Sequence, residues 1–142
     1  MMRRKALMTG AAAAVVLACS VSTSPGTASL VSGAWTYAGT QETPAPTTLE
    51  GSLNWQGVAG SDGAFEGTFT VLERLPTGAT RTLSGPGAGQ LIADSVADFD
   101  LTFEGVARRH IGVLRADSIS GSWATLSAGH TASGQFVLRR RP

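Results

Sequence analysis

Leu49-Glu50-Gly51-Ser52-Leu53-Asn54-Trp55-Gln56 is the stretch on which the fold turns. In an extended chain Leu49, Gly51, Leu53 and Trp55 share one face, and Glu50, Ser52, Asn54 and Gln56 share the other. That alternation marks a strand with one buried side and one wet side. Outward from it, the same period-two reading covers Val31–Gly39, Phe65–Leu75, Ala97–Gly105, Ile119–Thr125 and Ala132–Arg139, with weaker segments at Thr80–Ser84 and Arg109–Val113. Turn-forming groups separate them: Ser61-Asp62-Gly63, Pro76-Thr77-Gly78, Gly85-Pro86-Gly87, Arg115-Ala116-Asp117 and Ala128-Gly129. Strands that recur about every ten to twelve residues leave no room for crossover helices. The expected fold is therefore all-β: an antiparallel up-and-down meander of about eight strands, closed or nearly closed into a small barrel.

A second pattern supports closure. Gly33 precedes Trp35, Gly67 precedes Phe69, Gly121 precedes Trp123 and Gly134 precedes Phe136, while Gly51 leads to Leu53 and Trp55. Each glycine shares a face with the large side chain two positions on. Small and large inner positions in alternation let a strand bend while its neighbours fill the space. One stretch stays ambiguous. Leu91, Ile92, Val96 and Phe99 fit a short helix capping a barrel end, or an edge strand broken near Asp94-Ser95.

Length and composition narrow the remaining classes. With 142 residues the chain holds one domain. Its single Cys, Cys19, excludes a disulfide framework and any Cys-rich zinc site. A formal net charge of +1 provides no field that would draw it to nucleic acid.

The N-terminus reads as a targeting segment. Arg3, Arg4 and Lys5 precede an apolar run from Ala6 to Ala18, the layout of a secretory signal peptide. As a helix that run spans about 20 Å, short of the roughly 30 Å of a bilayer core. Its end, Val16-Leu17-Ala18-Cys19, resembles a bacterial lipobox, with Leu17 where a smaller residue is common. The resemblance implies a diacylglyceryl group on the Cys19 thiol, cleavage ahead of Cys19, and a chain tethered to the cell envelope. With Ser20 after the Cys, it implies the outer membrane in a Gram-negative cell. The alternative is a soluble secreted or periplasmic protein cleaved after Ala28. The expected organisation is a signal peptide over 1–18, lipidated Cys19 and a small-residue tether over 19–29, and a barrel over 30–142. Without the leader, eight Arg face ten carboxylates and no Lys remains.

Gly33-Ala34-Trp35 resembles the G-x-W that opens lipocalin-like (calycin-like) barrels, and avidin-type barrels share that opening. The lipocalin resemblance implies that Trp35 packs under a basic side chain from the end of the last strand, for which Arg139 is the candidate. Asp117–Trp123 followed by Ala132–Leu138 also resembles small bacterial envelope lipoproteins.

Candidate sites are few. Trp35, Trp55, Trp123, Phe69 and Phe136 either wall a ligand pocket or fill the core. His110, beside Arg108 and Arg109, and His130, in a turn, read as surface residues rather than metal ligands. Asp94 lies near Asp98, Asp100 and Glu104, and the latter three share a polar strand face. Strand spacing holds same-face carboxylates about 7 Å apart, which favours a solvated face over a calcium site. Gly85–Gly89 lacks the Lys and the strand-to-helix context of a phosphate loop. Arg139-Arg140-Arg141 reads as a solvated tail or a contact to anionic lipid. No nucleophile motif, metal site or cofactor loop appears, so no cofactor is expected. The leading expectation is a non-enzymatic envelope lipoprotein whose barrel carries a small apolar ligand. The alternatives are a protein-interaction module, such as a periplasmic protease inhibitor or assembly accessory, and an enzyme using His110 or His130 with a nearby acid.

Overall fold

The computed structural model describes residues 26–127, 129 and 131–142. It contains β1 (Gly33–Thr43), β2 (Thr47–Gly57), β3 (Ala64–Arg74), β4 (Thr80–Ile92), β5 (Val96–Phe103), β6 (Val106–Arg115), β7 (Ser118–Thr125) and β8 (Ser133–Arg140). Each strand pairs antiparallel with its sequence neighbours, and β8 returns to β1, closing an up-and-down barrel of eight strands. The predicted meander is the observed one.

Alternation within strands fills the interior. On β5, Ala97, Phe99, Leu101 and Phe103 are all buried while their neighbours are half-buried. Trp55 meets Phe65 and Phe99 edge-on at 4.9 and 5.4 Å between ring centroids, and Phe99 meets Phe136 at 5.5 Å. Such contacts dominate the energetics of a small core.

The inner glycines sit where strands approach too closely for a side chain. A Cβ on Gly67 would lie 1.8 Å from the Asn54 carbonyl oxygen of β2, inside any tolerable contact. Gly85-Pro86-Gly87, expected as a turn, instead lies within β4. Pairing of β4 with β5 runs only from Gly87 to Ile92, so Pro86 sits beyond that ladder on one side, where the proline's missing donor is tolerated. The bareness of Gly87 makes room for an aromatic ring: a Cβ there would come within 2.6 Å of the Trp55 indole.

The ambiguous Gln90–Phe99 stretch resolves as two strands around Ala93-Asp94-Ser95, with Ala93 and Asp94 at φ 49° and 58°. There is no helix in it, and neither strand is an edge because the barrel closes. A tight turn at Glu104-Gly105, φ 49° and 81°, links β5 to β6 with Phe103 opposite Val106. Two left-handed central residues are what a two-residue hairpin needs.

Residues 26–32, ahead of β1, pack against the barrel. The Gly26 amide donates to the Leu91 carbonyl at 2.8 Å, and the Ala28 amide donates to Asp62. A 3-10 turn over Ala28–Leu30 lies across this end of the barrel. Trp35 donates its indole N–H to the Val31 carbonyl at 2.8 Å. Over the Trp35 ring, at 4.4 Å, lies the guanidinium of Arg140, not of Arg139. Register explains the correction: Trp35 pairs with Arg140, so the two share a face, whereas Arg139 pairs with Thr36 on the outer wall. Arg140 also donates to the Ser32 carbonyl at 2.7 Å and to the Leu30 carbonyl, and it pairs with Asp117 at 3.3 Å. That end of the barrel is shut. The expected leader over 1–18, Cys19 and the first part of the tether lie outside the described residues, as does His130.

Candidate functional site

The opposite end carries the turns after β1, β3, β5 and β7, and there the barrel forms a concave mouth of about 500 Å³. Gln41, Glu73, Arg81, Phe103 and Arg108 line it, with Pro44, Val106 and Ala132 at the rim. A concavity of similar size beside Gly67 and Gly87 is lined by outward-facing Gln56, Glu66 and Thr68 and belongs to the outer wall. The mouth is distinguished by its inward-facing lining.

Two cations meet at the mouth in different circumstances. Arg81 is half exposed and fully engaged: its Nη2 and Nε reach Glu73 Oε2 at 2.8 and 3.3 Å, and its Nη1 reaches Glu104 at 3.1 Å. The hydrogen bonds that Arg81 donates to Glu73, itself buried, raise the Arg81 pKa above its ordinary value. Arg108 is 8% exposed, and its Nη1 is buried with no hydrogen-bond partner among the described residues. Its guanidinium lies over the Phe103 and Trp123 rings, at 4.1 and 4.6 Å from their centroids. Burial lowers the Arg108 pKa, while Glu73 and Tyr37 act to raise it. Ring faces attract the cation but provide no acceptor for its N–H groups.

Directly below Arg108, His110 is fully buried, a correction to its expected place on the surface. The parity of β6 is set by the Glu104-Gly105 turn. Phe103 faces Val106, Leu101 faces Arg108 and Phe99 faces His110, so the polar pair is carried inward with the apolar residues of β5. Ile111 and Val113 are correspondingly turned out, 44% and 41% exposed. The His110 Nδ1 lies 2.9 Å from the Arg108 carbonyl, which can only accept, so Nδ1 carries the proton. Nε2 then accepts from the Tyr37 hydroxyl at 3.0 Å. Burial pushes the His110 pKa down to about 3 and drives that of Tyr37 upward. Both groups are neutral, mutually satisfied elements of the core.

The five expected aromatic residues are all buried, and they do not form one pocket. Trp35 lies at the shut end. Trp55 and Phe136 pack in the centre, and the Trp55 Nε1 lacks a hydrogen-bond partner among the described residues. Phe69 backs Phe103 at 4.5 Å, and Trp123 lies under Arg108 while donating to the Thr40 carbonyl at 3.2 Å. Only these last two support the mouth.

The acids separate as well. Asp98 holds Arg109 in a two-pronged pair at 2.7 and 3.0 Å, Asp94 accepts from the Thr27 amide, and Glu104 serves Arg81. Among the described residues no three His, Cys, Asp or Glu side chains converge to hold a metal ion. Arg108, Glu73 and Arg81 were not singled out from sequence. The available signal was their parity: once Leu101 and Val71 face inward, period two places Arg108, opposite Leu101, and Glu73, two residues on from Val71, inside.

No protein-family model and no curated protein sequence matches the chain. Solved structures do share its fold. A redesigned β-barrel, mFAP1, bound to DFHBI aligns with a TM-score of 0.61 at 16% identity, over 80% of this chain and 97% of that one. The related EF1p2_mFAP2b, also bound to DFHBI, gives 0.63 at 16% identity over 80% and 96%. A de novo designed fluorescence-activating β-barrel gives 0.55 at 16% identity over the same shares. The likeness is one of fold.

Proposed function

We propose that this chain is a non-enzymatic binding barrel that holds a small organic ligand at its mouth, tethered to a bacterial envelope membrane through Cys19. The observation that carries the binding reading is the contrast between the two ends. One is closed by the Ala28–Leu30 turn and Arg140; the other is a concavity of about 500 Å³ lined by inward side chains, within the range of small-molecule sites. The interior below the mouth is occupied by aromatic rings, so the ligand sits in the mouth rather than deep in the barrel. That two structural neighbours were solved with DFHBI bound supports ligand binding by this architecture.

N-phenyl-1-naphthylamine, a neutral fluorescent probe, tests the reading. It is expected to brighten saturably at one molecule per chain, and the response is expected to vanish in Ala132→Trp, which fills the rim. No enhancement by the unaltered protein would remove the ligand-binding role. The rival reading, a protein-interaction module, draws on exposed Ile111 and Val113 on the outer wall of β6. Probe binding that survives Ala132→Trp and disappears on replacing both wall residues with Ser would move the assignment to that wall.

The tether rests on the Val16–Cys19 resemblance. Cleavage after Ala28, the alternative, would remove the Gly26–Leu91 and Ala28–Asp62 backbone bonds, which favours processing upstream. Mass spectrometry of the mature protein is expected to find an acylated Cys19 at its N-terminus. An unmodified chain starting at Ser29 would overturn the anchor.

A further inference from the structure

The mouth contains a buried group that the described residues leave unsatisfied. Arg108 is 8% exposed, and its Nη1 has no hydrogen-bond partner among the described residues. A buried cation without an acceptor is costly, and removing its partner from such a site destabilises by several kcal/mol in known cases. The nearby carboxylates do not supply one, since the ion pairs of Glu73 and Glu104 at the mouth are with Arg81. The rings of Phe103 and Trp123 cover the guanidinium at 4.1 and 4.6 Å and supply no acceptor for its N–H groups, while Arg108 itself is among the residues that line the mouth.

We propose that the mouth binds a small monocarboxylic acid with an apolar body, its carboxylate on the Arg108 guanidinium. The planar fork of an arginine matches the two oxygens of a carboxylate. Phe103, Val106, Pro44 and Ala132 offer apolar surface to the body of such a molecule. Arg81 and Arg108 already balance Glu73 and Glu104 in charge, so a bound anion relies on the local contact with Arg108 rather than on a net positive mouth. A second negative charge on the ligand would meet the two carboxylates without a further unengaged guanidinium to offset it. This assignment rests on the mouth being the ligand site.

The test is displacement of N-phenyl-1-naphthylamine by three eight-carbon competitors: octanoate, 1-octanol and octyl phosphate. Octanoate is expected to compete at a concentration roughly tenfold or more below that of 1-octanol, as a charge-assisted hydrogen bond requires. Octyl phosphate, measured at pH 8, is expected to be weaker than octanoate. Arg108→Gln is expected to bring octanoate to the level of 1-octanol while probe binding persists. Equal competition by octanoate and 1-octanol in the unaltered protein would overturn the carboxylate assignment and leave the mouth as the site. Octyl phosphate stronger than octanoate would overturn the single-charge assignment. Absence of probe binding altogether would remove both readings. Should Arg108→Gln fail to fold, the acid-to-alcohol ratio in the unaltered protein still decides.

Discussion

Gly134→Ala is expected to lower the folding free energy by about 3 kcal/mol or more, read as a large fall in the urea midpoint or as loss of the folded protein. Gly134 lies on the inner face of β8, opposite Gln41 of β1 and Trp123 of β7. A Cβ there would lie 1.7 Å from the Thr40 carbonyl oxygen, 2.7 Å from its carbon and 3.0 Å from the Gln41 Cα. All three are backbone atoms, so no rotamer change relieves the overlap. The strands would have to separate along the β1–β8 seam, where the register already shifts between Gln41 and Thr43 and where the barrel closes. The same Thr40 oxygen accepts the Trp123 indole proton, so a displaced carbonyl also strands a buried donor. A domain whose whole stability is about 5–15 kcal/mol does not absorb this easily. Gly57→Ala is the matched control. Its Cβ would meet only the Ala28 methyl, at 3.4 Å, and a change within about 0.5 kcal/mol is expected. Equal stability of the two variants would show that the inner glycines do not shape the barrel.

The glycine pattern illustrates how far the fold could be read. Gly67 before Phe69 and Gly134 before Phe136 already implied bent strands with large neighbours, because the period of two puts each pair on one face. The same logic was misled at Gly85-Pro86-Gly87, whose composition is that of a turn. What distinguishes it is the Trp55 ring from β2 over Gly87, a contact between residues far apart in sequence. Parity errors account for the rest. On β6 hydrophobicity points the wrong way, with Ile111 and Val113 outside and Arg108 and His110 inside, and only the hairpin register with β5 reveals it. Arg139 and Arg140 are indistinguishable by composition, yet one faces solvent and the other covers Trp35. The mouth was illegible for a related reason. Arg81, Glu73 and Arg108 come from three strands, and nothing in their local sequence announces that they meet.

Acid is expected to destabilise the protein through His110 by an amount on the order of 4 kcal/mol between pH 6.5 and pH 3. The imidazole is fully buried, stacked on Phe99 at 4.9 Å, and its pKa is pushed down to about 3 by that burial. An unfolded chain takes up a proton on this side chain near pH 6.5, while the native state refuses it until about pH 3. Through that window the unfolded state binds more protons, so stability falls as pH falls, by up to about 1.4 kcal/mol per pH unit. Above pH 6.5 the term is fully present and flat. Asp100 acts in the opposite sense, since burial and then the charge of Asp98 push its carboxyl up. For that reason the measurement compares two proteins rather than one protein at two pH values. Tyr37→Phe combined with His110→Met removes both ends of the buried hydrogen bond, so neither partner is left unsatisfied. Urea unfolding at pH 7 and pH 4 is expected to show a smaller drop in the double variant than in the unaltered protein, with the carboxylate contributions cancelling in the difference. An identical drop in both would mean that His110 is protonated in the native barrel. Its Nε2 could then no longer accept from Tyr37, and the neutral pair at the centre of the core would have to be redrawn.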